Sequence, residues 1–114
     1  QRPFCVTMPV LQLERLEPGE QTTLAHCPSL ALGHVRSAAL TVACAGEGDG
    51  LLVTAYGSAD GLHFDTAPLA EAQVRAGQQT VPLPAHVPYV KVAVTNMDET
   101  CEAGPITVVA TLKG

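Results

Sequence analysis

Apolar residues in this chain recur at every second position in short runs, and the runs are broken by glycine and proline. Tyr89 to Asn96 is the cleanest case: Val90, Val92 and Val94 share one parity, and Tyr89, Lys91, Ala93 and Thr95 share the other. Ile106 to Lys113 repeats the pattern with Ile106, Val108, Ala110 and Leu112, and Ala38 to Ala45 does so with Leu40, Val42 and Cys44. Alternation at period two places one set of side chains in a core and the other outside, the signature of a half-buried strand. About eight such segments at regular spacing predict an all-β fold, an antiparallel β-sandwich of jelly-roll type. With 114 residues, one domain over 1–114 accounts for the chain.

The N-terminal segment carries a further signal. Phe4, Val6, Met8 and Val10 share one parity, but Leu11 and Leu13 fall on the other. A bulge or bend near Val10-Leu11 reconciles the two faces. Pro9 lacks an N–H, which confines this strand to a sheet edge, and Pro82 marks an edge for the same reason. Glu17-Pro18-Gly19-Glu20 predicts a turn, and Gln21 to Ala25 a resumed strand. His26 to Arg36 holds Pro28 and Gly33 and is expected as a crossing loop or a short helical turn. Ala67 to Ala76 is expected as a loop with a short strand around Gln73 to Arg75.

Leu51 to Thr66, LLVTAYGSADGLHFDT, predicts a hairpin with strands Leu51 to Ser58 and Leu62 to Asp65 about an Asp60-Gly61 turn. The hairpin places Ser58, Asp60, His63 and Asp65 near one rim. Its Tyr56-to-Phe64 portion resembles the S-x-D-G-x-x-aromatic hairpin of discoidin-like, carbohydrate-binding jelly rolls. The resemblance implies a β-sandwich. The hairpin is structural in that family, so it implies no binding residue here.

Composition narrows function. The net charge of −5, with six Lys and Arg, opposes a phosphate backbone, and aromatics at 4% with no Trp leave few rings for bases to stack on. No nucleic-acid partner is expected, and no apolar run approaches a membrane span. Ser29, Ser37 and Ser58 lie outside any nucleophile-elbow motif, and no cysteine carries a protease-like flank. No catalytic residue is expected.

Two ligand chemistries remain to be weighed. Glu47 and Asp49 in the GEGDG loop, with Asp60 and Asp65, supply hard oxygen donors suited to Ca²⁺, against a bland alternative of solvated turn residues. His26, Cys27 and His34 with Cys5 or Cys101 offer Zn²⁺ donors, though without C-x₂-C or H-x₃-H spacing. Cys5, Cys27, Cys44 and Cys101 are even in number and are candidates for two disulfides. Together with a start at Gln1, this suggests an extracellular or cell-surface setting.

Charged residues make up 15% of the chain, against about 25% on average. The expectation is therefore a non-enzymatic structural or interaction subunit of a larger extracellular or particle-like assembly, with a protein partner or a homo-oligomer. Phe4, Val6, Met8 and Val10 would form the assembly strand. The alternatives are a glycan- or Ca²⁺-binding module and an accessory subunit of a metalloenzyme.

Overall fold

The computed structural model describes residues 4–44, 50–75 and 77–114. Eight strands form: β1 (Cys5–Leu13), β2 (Leu30–Ala31), β3 (Ser37–Cys44), β4 (Leu51–Ser58), β5 (Ala70–Val74), β6 (Gly77–Leu83), β7 (Tyr89–Asn96) and β8 (Ile106–Lys113). They make two four-stranded antiparallel sheets, with orders β1-β8-β3-β6 and β2-β7-β4-β5. Partners nest from the outside of the sequence inward: first with eighth, second with seventh, third with sixth, fourth with fifth. Successive nested pairs alternate between sheets, which is the jelly-roll wrap.

The alternating valines and leucines fill the space between the sheets. Val90, Val92 and Val94 of β7 lie against Val42, Val108 and Ile106, all fully buried in one apolar cluster. Ala93, on the opposite face of β7, is also buried, beside its cross-strand partner Thr54, whose hydroxyl donates to the Ala93 carbonyl. Both side chains are small, so their neighbours close over them.

β1 has the predicted irregularity. Pro9 pairs with Val109 and Leu11 with Val108, leaving Val10 as the extra residue. The bulge flips the parity, so that Val10 and Leu11 are both buried. Both prolines lie on edge strands of the first sheet, Pro9 on β1 and Pro82 on β6. The start of β1 is tied within its own sheet, since Gly114 N–H donates to the Phe4 carbonyl.

Two expected strands are replaced by other structure. Leu62 to Asp65 does not pair with β4; the partner of β4 is β5, from Leu51 opposite Val74 to Ala55 opposite Ala70. The segment after Ser58 is held by side chains instead of a ladder, as described below. Gln21 to Ala25 makes one isolated bridge, Gln21 to Thr95, and then a 3₁₀ turn at Leu24–His26. There the Thr22 hydroxyl accepts from Val94 N–H while Thr22 N–H donates to the Val94 carbonyl. One residue thus takes both of the bonds that Val94 offers, and no longer strand is needed.

Candidate functional site

The strand directions define two ends of the sandwich. One end, here called the open end, holds Cys5, Ser37, Ser58, Leu83, Tyr89 and Lys113. The opposite end holds Leu13, Cys44, Leu51, Asn96 and Ile106. Asp60 and Asp65 follow Ser58 at the open end. Glu47 and Asp49 lie outside the described residues.

At the open end, Ser58 and Asp60 build the loop themselves. The buried Ser58 hydroxyl donates to Asp60 Oδ1 at 3.0 Å and accepts from the Asp60 and Gly61 N–H groups at 3.3 and 2.9 Å. Asp60 Oδ1 also accepts from Leu62 and His63 N–H, both at 2.9 Å, and Oδ2 lies 2.9 Å from His63 Nδ1. Gly61 takes a φ of 80°, open to glycine at no steric cost, against the Tyr89 ring. The His63 ring, then the backbone N–H groups of His63 and Leu62, hold the Asp60 carboxyl far below the usual carboxylate range.

A carboxylate offers about four lone-pair sites, and Asp60 receives four contacts from its own loop. Three of the four fall on Oδ1 and one on Oδ2. The Asp65 N–H donates to the Gly57 carbonyl at 3.0 Å. Among the described residues, no group of three or more His, Cys, Asp and Glu side chains is placed to hold a metal ion. His26 Nδ1 lies 2.8 Å from the Thr23 hydroxyl within the 3₁₀ turn.

The four cysteines are free, which corrects the disulfide expectation. Cys5 stands opposite Lys113 and Cys44 opposite Ile106, seven positions apart along β8 and so about 23 Å apart. A bridge needs Cα atoms within about 7 Å. Cys27 follows the 3₁₀ turn and is buried against β7 of the other sheet, where its Sγ accepts from Val92 N–H at 3.2 Å. Burial pushes its thiol up in pKa, so it serves as a neutral packing group. Cys5 and Cys101 are exposed.

At the opposite end the structure contains a polar centre that alternation could not reveal. Asn96 is 1% exposed and ends β7. Its Nδ2 donates to the carbonyls of Leu16, Glu17 and Cys101 at 3.1, 3.2 and 2.9 Å, and its Oδ1 accepts from Asp98 N–H at 3.0 Å. Asp98 Oδ1 in turn accepts from Thr100 N–H, the Thr100 hydroxyl and Cys101 N–H. The acidic segment after Met97 is thus a pinned structure that fastens the turn after β1 to the β7–β8 connection. Asn at a strand end followed two residues later by Asp was the available signal.

The apolar residues expected to form an assembly strand divide. Val10 is buried and Met8 packs on the core, but Val6 is 47% and Phe4 39% exposed. Val6 lies opposite the buried Leu112, so it faces the inside of the sandwich. It is uncovered because β2, the edge strand on that side of the other sheet, is only two residues long.

No family model matches the chain, and no curated protein matches it. Among solved structures it is similar to a chain of infectious bursal disease virus, Gx strain, at 13% identity and TM-score 0.54 over 99% of this chain and 32% of that one. It is also similar to the SPBc2 prophage-derived protein YomS, at 14% identity and TM-score 0.49 over 100% and 96% of the two chains. A third is PirA, at 13% identity and TM-score 0.49 over 98% and 93%. The first likeness supports the two-sheet fold and goes no further.

Proposed function

We propose that this chain is a non-enzymatic structural subunit, a β-sandwich that associates with other protein chains, its own copies foremost, in a larger assembly. The observation that carries this is the outer face of the first sheet. Thr7, Ala39, Thr41, Thr80, Val109 and Thr111 lie there in register across all four strands. The one charged residue on that face is Lys113, at its end. The described acidic residues lie elsewhere, with Glu14, Glu17, Glu20, Asp98, Glu99 and Glu102 at the end opposite the open one. In a chain of net charge −5, an uncharged face is where two copies can meet without repulsion.

The non-enzymatic part of the reading rests on how the polar groups are used. Ser58, Asp60 and His63 shape one loop, Asn96 and Asp98 pin another, and Cys27 serves the β7 backbone. The fold shared with a chain of a virus structure is compatible with an assembly subunit. Light scattering across a range of protein concentrations tests the proposal. The expected mass rises with concentration, as mass action requires. A mass that stays at one chain throughout refutes it.

A further inference from the structure

We propose that copies of this chain join edge to edge, with β1 of one copy antiparallel to β6 of the next, so that the first sheet runs on from copy to copy. The proposal rests on the assembly reading above and names its surfaces.

The hydrogen-bonding sense of each edge follows from the register. Phe4 accepts from Gly114, so Phe4, Val6 and Met8 direct their backbone groups toward β8, and Cys5, Thr7 and Pro9 direct theirs to the free edge. Carrying the alternation across β8 and β3 leaves Gln78, Thr80 and Pro82 of β6 facing the other free edge. Each proline therefore sits where its missing N–H costs its own sheet nothing. Natural edges are guarded by charge, proline or a bulge; β1 and β6 contain no charged residue, and their guards are Pro9 with the adjoining bulge and Pro82, which remove donors but leave the carbonyls.

The prolines leave a restricted choice of register. Setting Thr7 opposite Thr80 lets these two exchange both bonds. It also sets Cys5 N–H toward the Pro82 carbonyl and Gln78 N–H toward the Pro9 carbonyl. Each proline then needs only to accept. The strand directions agree, because β1 runs away from the open end and β6 runs toward it, so copies related by translation pair antiparallel.

The same register matches the apolar surfaces. It places the exposed Val6 beside Val81 and the exposed Phe4 beside Leu83 of the neighbouring copy, on the core-facing side of both sheets. That side of β6 opens onto a groove of about 370 Å³ between β5 and β6, lined by Ala70, Glu71 and Ala72 on one side and Val81, Pro82, Leu83 and Pro84 on the other. Leu40, Val53 and Ala55 of the core line the adjoining space. Apolar residues at i and i+2 on β1 thus meet apolar pairs at i and i+2 on β5 and β6. The side chains that the short β2 leaves uncovered in one copy fill the groove of the next. Such a contact is heterologous and continues from copy to copy instead of closing as a pair.

Two variants test this. Thr7→Pro removes a donor that the single chain does not use; it should weaken association about tenfold or more and leave the melting temperature unchanged at dilutions where the wild type is also monomeric. Pro82→Cys should, on oxidation, bond to Cys5 of the next copy and give a ladder of dimers, trimers and higher species on a non-reducing gel, lost in a Cys5→Ser background. Within one copy these positions are three strand spacings apart, about 14 Å, beyond a disulfide's reach. Wild-type association that Thr7→Pro leaves intact, or crosslinking that stops at dimers, overturns the edge-to-edge arrangement while leaving the assembly reading in place. A wild-type chain that stays monomeric overturns both.

Discussion

Replacing Asn96 by alanine tests the polar centre at the end away from the open one. The substitution removes every side-chain hydrogen bond of a residue that is 1% exposed. The Leu16 carbonyl keeps Ala103 N–H at 2.8 Å, and the Glu17 carbonyl keeps Glu20 N–H at 3.0 Å. The loss therefore falls on the Cys101 carbonyl and on Asp98 N–H, which forfeit their Asn96 partners. The Asp98 N–H is buried, and losing its partner costs about 1–3 kcal/mol, while the bond to the carbonyl of the exposed Cys101 contributes about 1 kcal/mol, so the expected loss is about 2–4 kcal/mol. Against a typical stability of about 5–15 kcal/mol, that lowers the melting temperature by about 10–20 °C. Urea unfolding followed by circular dichroism reads it as a fall in midpoint at unchanged slope. Asn96→Asp keeps the acceptor for Asp98 N–H but turns a carboxylate toward three carbonyls. Its folded-state pKa is then raised, so this variant should regain stability relative to Asn96→Ala as pH falls through that value, because only the protonated acid can donate. An Asn96→Ala midpoint indistinguishable from wild type would refute the role assigned to this residue.

The loop after Ser58 should respond locally. Asp60→Ala should raise amide hydrogen exchange at Leu62 and His63, whose N–H groups it caps, and leave β4 and β7 amides protected; unchanged exchange at both would contradict the geometry. Because the folded-state pKa of Asp60 is depressed, its contribution is present above the ordinary carboxylate range and is lost only as pH falls through the lower folded value. A carboxyl NMR titration that places Asp60 with ordinary carboxylates would count against it. A thiol reagent should modify Cys5 and Cys101 in the native protein and Cys27 and Cys44 only after unfolding. A disulfide recovered from the freshly isolated protein would contradict the separation of Cys5 from Cys44.

The parts of the fold legible in sequence are those where side-chain parity alone decides. Val90, Val92 and Val94 announce β7, and the slip between Val10 and Leu11 announces the bulge, because a one-residue insertion must exchange faces. Pro9 and Pro82 announce edges because a missing N–H is tolerated nowhere else in a sheet. Structure made by polar side chains was not legible in the same way. Asp60-Gly61 has the residues of a tight hairpin, but Ser58 and Asp60 take up the N–H groups of the next residues, and the chain leaves the sheet until Ala70. Asn96 and Asp98 fall in a polar, acidic segment whose composition suggests solvation, although both are buried. Which carbonyls an amide can reach depends on strands distant in sequence. The Ca²⁺ grouping drew together Glu47, Asp49, Asp60 and Asp65 by nearness along the chain, and two of the four, Glu47 and Asp49, lie outside the described residues.

The two ends differ in a way that bears on assembly. Asn96 and Asp98 close one end by bonding the turn after β1 to the β7–β8 connection. Among the described residues, no comparable centre joins β1 to the second sheet at the open end, where β2 is two residues long and Phe4 and Val6 are exposed on the inward-facing side. Extending β2 to a full strand would bury them within one chain, and lengthening β5 toward Leu69 would narrow the groove beside β6. Both apolar surfaces lie on the open-end half of the sandwich, offset by two residues along the first sheet. A single-chain explanation has to treat the short β2 and the open β5–β6 groove as two separate deficits. Edge-to-edge pairing makes one the complement of the other, since the residues that β2 leaves bare are those that the groove lacks.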